Sequence, residues 1–251
     1  MPYTQHTNYL LHLADNALIL GHRNSEWCGH GPILEQDIAI TNISLDLIGQ
    51  SRYLFQYAAS IIGESATEDT LAYLRDVRAF KNCLMLELPK GDWAVTVLRQ
   101  YLFSQFQILQ YGALQQSEDK QLSAIAEKAI RETAYHLRWS SEWVVRLGDG
   151  TEESRQRMKK AVDHLWSYTG ELFMPSTFEI SCAELKIGVD PASLKDQWYA
   201  LIQKIFAEAT LELPPMGWSQ SGGKDGMHTE HLGYILAELQ FMQRSYPGNE
   251  W

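Results

Sequence analysis

Two segments carry residues whose types and spacing suggest part of a metal site. Glu132 and His136 lie four residues apart in segment 119–147 and share one face of a helix. Di-iron carboxylate bundles draw a Glu from each of two helices and a Glu-x-x-His pair from each of the other two. The corresponding part of segment 33–62 reads Leu47-x-x-Gln50, one neutral amide and no carboxylate. A chain that keeps the helices but lacks the ligands is expected to be non-catalytic.

A structural interpretation accounts for these polar residues better than a metal site does. Asp46, Gln50, Glu132 and His136 would form a buried polar network, which Arg52 could join, or Glu132 and His136 would pair within their own helix. Bundle interiors tolerate such groups when each is hydrogen-bonded. The network would then replace a metal as the feature that joins the helices.

The elements that must position these residues are all helical. Helical periodicity runs through nearly every long segment, and no alternating run of useful length predicts a strand. Segment 33–62 is apolar around most of its circumference, which predicts a helix at the centre of a bundle. Ser65-Ala66-Thr67-Glu68 has the form of a capping box. The sequence predicts one all-α domain over 1–251, with helices at about 7–23, 33–62, 68–75, 93–116, 119–147, 152–173, 191–211 and 229–245.

Composition and charge exclude several classes of function. The 251 residues carry a formal net charge of −10, which argues against nucleic acid as a partner. No apolar run is long enough to predict a membrane span, and the N-terminal residues do not resemble a signal peptide. Cys28, Cys83 and Cys182 have no C-x-x-C spacing and predict reduced thiols in a cytoplasmic protein. The eight Trp residues favour core packing, or a broad protein interface.

Three long, irregular strings of sequence carry a family resemblance. They are Glu26-Trp27-Cys28-Gly29-His30-Gly31-Pro32, the stretch from Asn42 to Arg52, and the stretch from Gly222 to Gly233. The chain resembles the structural C-subunit branch of the bacterial phenylacetyl-CoA 1,2-epoxidases, which are ring-epoxidising monooxygenases. The likeness covers essentially the whole chain. It implies a ferritin-like four-helix bundle with additional C-terminal helices.

The resemblance also implies partners and cofactors. Members of this branch pair with a homologous catalytic subunit that carries the di-iron centre and epoxidises the aromatic ring of phenylacetyl-CoA with O2. A reductase subunit supplies electrons from NADPH, so FAD and an iron-sulfur cluster, like the iron, are expected in partner subunits. No cofactor is expected on this chain. Its expected work is structural, as a component of aerobic phenylacetate degradation.

The ligand pattern of the catalytic subunit mostly fails when it is carried over by resemblance. Ala17 stands at the position of the first-helix Glu, and Leu47 and Gln50 replace the Glu and His of the second helix. Phe103 lies near the third-helix carboxylate, Thr133 replaces the fourth-helix Glu, and His136 alone remains. One imidazole cannot hold two irons, which prefer several anionic oxygen ligands. The resemblance therefore predicts that this chain has no di-iron centre.

Three further motifs are better explained by structure than by chemistry. His228-Thr229-Glu230-His231 resembles a metal ligand set, but a helix start with a capping Thr229 or His228 explains it better. Gly222 to Gly226 only loosely resembles a phosphate cradle, in which Lys224 would meet the phosphates of CoA. Cys28 lies near His30, but no third group completes a nucleophilic site.

Two alternatives remain open beside the structural-subunit hypothesis. The chain could be a divergent di-iron oxygenase in its own right, with ligands drawn from Glu35, Asp37, Asp46, Glu132 and His136. It could also be a module that binds the CoA substrate or the reductase without doing chemistry. The interface with the catalytic subunit is predicted to use helices 33–62 and 93–116.

Overall fold

The computed structural model describes residues 4–63 and 66–249. Within these ranges the chain forms α-helices joined by loops and short 3-10 turns, with no strand. The all-α prediction is therefore confirmed. The helices are α1 (Gln5–Ser25), α2 (Leu34–Ile62), α3 (Glu68–Tyr73), α4 (Leu84–Glu87), α5 (Trp93–Leu114), α6 (Lys120–Gly148), α7 (Glu152–Thr169), α8 (Thr177–Glu184), α9 (Lys195–Glu208), α10 (Glu230–Leu239) and α11 (Phe241–Ser245).

Helices α1, α2, α5 and α6 form the ferritin-like four-helix bundle. α1 packs along α2, α5 packs along α6, and the contact of α2 with α6 joins the two pairs. Side-chain contacts give the direction of this last contact, since Gln36 meets Trp139 while Gln50 meets Glu132. α2 and α6 are therefore antiparallel.

Side-chain caps fix where the bundle helices begin. Asp92 accepts a hydrogen bond from the N–H of Val95, which confirms the predicted N-cap of α5. α3 opens with a capping box between Thr67 and Thr70, two residues later than the sequence pattern suggested. Ser65, the first residue of the predicted box, lies outside the described residues. α1, α6 and α7 begin with simple side-chain caps, in which Thr4, Asp119 and Thr151 accept hydrogen bonds from backbone N–H groups of the first turn.

The prediction that segment 33–62 is the central helix is wrong. Leu34, Ile38 and Leu45 are 73%, 53% and 62% exposed, so one apolar face of α2 lies outside the bundle. The central helices are α1 and α5, which are buried along most of their length. Additional helices cover them, α8 lying against α1 and α7 and α9 against α5. The apolar residues around the circumference of α2 therefore form two surfaces, one facing the core and one exposed outside the bundle.

The C-terminal half departs most from the predicted boundaries. The predicted helix 152–173 ends as α-helix at Thr169 and continues as a 3-10 turn, and 191–211 is a 3-10 turn followed by α9. The predicted helix 229–245 is divided at Gln240 into α10 and α11. Two short helices, α4 and α8, were not predicted. No helix in residues 4–63 and 66–249 combines the length and apolarity needed to cross a membrane.

Candidate functional site

The six positions that the resemblance matches to iron ligands all lie in the interior of the bundle. Ala17 comes from α1, Leu47 and Gln50 from α2, Phe103 from α5, and Thr133 and His136 from α6, and each is buried. Ala17, Leu47 and Phe103 belong to the hydrophobic core. The positions that would need carboxylates therefore hold apolar or neutral side chains.

His136 keeps part of the environment of a metal-binding histidine. Its Nε2 lies 3.0 Å from Oδ2 of Asp46, while Nδ1 is buried without a protein hydrogen-bond partner. Oγ1 of Thr133, one turn earlier on α6, is buried and unpartnered too. Metal-ligating histidines usually donate their second ring nitrogen to a carboxylate. The carboxylate–histidine pair is present here, but the neighbouring Thr133 and Leu47 supply no anionic ligand.

A second polar contact joins the same helices one turn further along. Nε2 of Gln50 donates to Oε2 of Glu132 at 3.0 Å, and the hydroxyl of Tyr111 on α5 donates to Oε1 of Gln50 at 3.2 Å. Burial raises the pKa of Tyr111, so its hydroxyl keeps its proton. Gln50 thus connects α2, α5 and α6 through hydrogen bonds.

The four residues of the predicted polar network therefore lie in two cross-helix pairs. Asp46 meets His136 and Gln50 meets Glu132, so both α6 residues bond to α2 instead of pairing within α6. Arg52 lies outside this network, because its Nε donates to Glu68 of α3 at 2.8 Å. The sequence did not indicate Tyr111, which extends the network to α5.

The alternative ligand set is not brought together. Asp37 accepts hydrogen bonds from the N–H groups of Gly31 and Gly29 at 2.9 and 3.1 Å, and these bonds, chiefly the one from Gly31, lower its pKa. Nine residues of helix, about 13 Å, separate it from Asp46. Glu35 is exposed near the start of α2.

These side chains do not fit a di-iron centre. Among residues 4–63 and 66–249, no three His, Cys, Asp or Glu side chains are grouped so that they could hold a metal ion. The interior offers His136 and its partner Asp46, while two irons require several anionic oxygen ligands. Apolar packing and the paired polar groups of the interior hold the four helices together.

A larger polar cluster, which the sequence analysis missed, lies between α1 and the C-terminal segments. Glu171 is buried and accepts from the N–H groups of Gly222 and Gly223 at 2.8 Å and of Leu84 at 2.7 Å. Burial raises its pKa, and these bonds oppose the shift. A Cβ at Gly223 would lie 2.2 Å from the carbonyl oxygen of Asn82, so only glycine fits. The sequence signal that could have indicated this cluster is a single carboxylate, Glu171, within a short apolar run.

Lys224 belongs to the same cluster, so the phosphate-cradle interpretation of the Gly-rich loop is wrong. Its Nζ lies 2.9 Å from Oε2 of Glu179 and 2.9 Å from the carbonyl oxygen of Met174, and both charged side chains are almost fully buried. Burial alone would raise the pKa of Glu179, but its charged neighbours, including Lys224, lower it. A lysine paired in this way has no free charge for a phosphate.

The His228–His231 motif is a helix start, as predicted. Oγ1 of Thr229 accepts from the N–H of His231 and caps α10. His228 does not cap. Its Nδ1 lies 2.8 Å from Oε2 of Glu87 and its Nε2 lies 2.9 Å from the carbonyl oxygen of Phe80.

The cysteines and tryptophans have structural surroundings. All three cysteines are free, and Nδ1 of His30 approaches the carbonyl oxygen of Cys28, not its thiol. Of the seven tryptophans in the described residues, six pack in or against the core, and Trp198 is fully buried. Trp218 is the exception at 77% exposed.

Comparison with known proteins agrees with this architecture. The family model described as "Phenylacetic acid catabolic protein" matches residues 2–251. The chain is 47% identical over 247 residues to the C subunit of 1,2-phenylacetyl-CoA epoxidase from Escherichia coli (strain K12), a match that covers 98% of this chain and 99% of that protein. On the strength of this near full-length match, the chain belongs to the phenylacetic acid catabolic protein family.

Proposed function

We propose that this chain is the non-catalytic structural subunit of a phenylacetyl-CoA epoxidase. It pairs with a homologous catalytic subunit that carries the di-iron centre and stabilises it in the phenylacetate-degrading complex. The similarity to an epoxidase C subunit supports membership of such a complex. The observation that carries the structural role is the interior itself, where Ala17, Leu47, Phe103 and Thr133 stand in place of carboxylate ligands.

The exposed apolar face of α2 is the proposed docking surface for the catalytic subunit. Leu34, Ile38, Leu45 and Tyr53 lie along it, and Tyr135 of α6 lies beside it. Gly49 sits in the middle of this stretch with open space around its Cβ position, which permits close approach of a second helix. An obligate interface of this kind is expected to bury more than about 2,000 Å².

The proposed docking surface does not include α5, although the sequence analysis predicted that helix 93–116 takes part. α5 is buried along most of its length and is covered by α6, α7 and α9. Its apolar residues therefore serve the core of this chain. The docking proposal rests on α2 and the adjoining face of α6.

Co-purification with the catalytic subunit tests the docking surface. Leu45→Arg places a charge in the centre of the proposed interface and should abolish co-purification. Leu185→Arg is the matched control, because Leu185 is 64% exposed, close to the 62% of Leu45, but lies at the end of α8. Co-purification that survives Leu45→Arg, or is lost equally in both variants, would contradict the proposed surface.

Metal content and activity test whether the catalytic subunit, and not this chain, carries the iron and the epoxidase activity. Prepared alone from iron-replete cells, this chain should hold less than about a tenth of an iron per chain, because its interior lacks the ligands. The catalytic subunit should epoxidise phenylacetyl-CoA at a full rate only with this chain present. Near-stoichiometric iron that is lost in His136→Ala would favour the divergent-oxygenase alternative. CoA affinity of the isolated chain would favour the substrate-binding module.

A further inference from the structure

The side chain of His228 is enclosed between two hydrogen-bond acceptors. Nδ1 faces a carboxylate oxygen of Glu87 at 2.8 Å, and Nε2 faces the carbonyl oxygen of Phe80 at 2.9 Å. The side chains of His228 and Glu87 are both 0% exposed, so water does not share these contacts. A carbonyl oxygen cannot donate a hydrogen bond. The ring must donate at Nε2, and a second proton must lie between Nδ1 and Glu87.

Both carboxyl oxygens of Glu87 accept hydrogen bonds from other groups. Its Oε1 accepts from the N–H of Thr229 at 2.6 Å, and its Oε2 accepts from Nδ2 of Asn82 at 2.8 Å. Three donors therefore converge on one carboxyl group, including His228 itself. Because Thr229 and Asn82 already donate to this carboxyl group, the geometry places the proton between the two side chains on Nδ1 of His228.

This ion pair anchors the Gly-rich segment 222–229 to α4. His228 and Thr229, at the end of the segment, both bond to Glu87. The start of the segment is held separately, through the N–H groups of Gly222 and Gly223 on Glu171. The same segment leads directly into α10, so loss of the Glu87 contacts would free the start of that helix.

We propose that the buried His228–Glu87 pair is a proton-dependent latch, which holds segment 222–229 and the start of α10 while His228 carries both ring protons and releases them when one proton is lost. A neutral ring has one donor for two acceptors. Its unprotonated nitrogen would face either a carboxylate or a carbonyl oxygen, which is a repulsive contact in a site without water.

The direction of the pH dependence follows from the environment of His228. Burial alone would lower its pKa, but the hydrogen bond and charge of Glu87 outweigh burial and raise the pKa above the ordinary value of 6.5. The latch therefore contributes its full stabilisation below pH 6.5 and loses it as the pH rises through the pKa of the folded protein.

The other charged groups around the latch are already paired. Asp15 of α1 faces His228 and favours its charged form, but Asp15 is itself bound by Arg75 and by the N–H of Lys81. Arg23 of α1 donates to the carbonyl oxygen of Glu87, not to its carboxylate. The proton on His228 therefore responds chiefly to Glu87.

Nuclear magnetic resonance of the ring nitrogens of His228 in the full chain tests the protonation state directly. The His228→Gln variant assigns the signals. We expect both nitrogens to be protonated at pH 6.5 and one proton to be lost at higher pH. A neutral ring at pH 6.5 would overturn the proposal.

Hydrogen exchange tests whether the proton controls the segment. Amides at the end of the segment, 226–229, corrected for intrinsic rates, should exchange about tenfold faster or more once His228 is neutral, while those of Gly222 and Gly223, held by Glu171, should not. Glu87→Gln removes the anion but offers an amide that can donate to a neutral ring, so exchange there should not respond to this proton. His231→Gln, three residues along the chain, is the matched control and should behave as wild type. The same pH response in wild type and Glu87→Gln would overturn the latch.

Discussion

At the scale of single residues, three buried histidines differ in the partners that their ring nitrogens meet. His12 donates from Nδ1 to the carbonyl oxygen of Lys81 at 2.7 Å, and its Nε2 faces the amide nitrogen of Asn16 at 3.2 Å. Burial lowers its pKa and outweighs the opposing charge of Glu179, which favours the neutral ring. His228 faces two acceptors, which favours protonation of both ring nitrogens. His136 has one carboxylate partner and one unpartnered nitrogen in the bundle interior.

Gln50 is the residue on which the interior polar contacts depend. Gln50→Leu leaves the buried Tyr111 hydroxyl without its acceptor and should lower the free energy of unfolding by about 1–3 kcal/mol. Adding Tyr111→Phe removes the stranded hydroxyl, so the double variant should regain part of that loss. Urea unfolding of the two single variants and the double variant measures this. Strictly additive effects would show that the Tyr111–Gln50 bond contributes nothing.

At the scale of elements, close backbone contacts set how the outer helices pack on the bundle. Gly148, the last residue of α6, lies against Ala209 at the end of α9. A Cβ built at Gly148 would lie 2.3 Å from the carbonyl oxygen of Ala209. Oγ1 of Thr210 also donates to the carbonyl oxygen of Gly148 at 3.2 Å. α9 therefore rests directly on the backbone of α6.

Gly148→Ala should push α9 away from α6 and lower the free energy of unfolding by about 1–3 kcal/mol. Gly112→Ala, within α5, is the matched control. The nearest atom to its added Cβ is Cδ1 of Ile130 at 3.8 Å, so the change should raise stability by about 0.5–1 kcal/mol through helix propensity. Thermal and urea unfolding measure both. Equal effects of the two substitutions would contradict the close contact between α6 and α9.

At the scale of the whole molecule, the buried apolar surfaces form the core, and the exposed apolar surface of α2 is available for a partner. The bundle interior and the outer helices bury α1 and α5, while the long outer face of α2 stays open. Several large apolar side chains exposed along one helix favour an interaction site. The chain alone is thus expected to be incomplete.

Prepared without its partner, the chain should self-associate as its concentration rises, because the α2 face would be covered by a second copy. Sedimentation velocity over a range of concentrations measures this. Leu45→Arg should shift the distribution to monomer, and Leu185→Arg should not. A wild-type chain that stays monomeric at all concentrations would contradict self-association through the α2 face.

Much of this protein follows from the sequence alone. Local periodicity and caps such as Asp92 depend on neighbours in the chain, so the helices of the bundle and the all-α class were predicted. The resemblance placed Leu47, Gln50 and Thr133 at ligand positions, and their residue types predict that this chain lacks a di-iron centre. The resemblance carried by long sequence strings anticipated the family.

Tertiary structure alone decided which surfaces are buried and which charges meet. A one-dimensional pattern shows that α2 has two apolar faces, but not which face the bundle covers. Glu87 and His228 are 141 residues apart, and Glu171 and Gly222 are 51 apart, so no local pattern pairs them. Folding brings them together because a buried charge requires partners, wherever in the chain those partners lie.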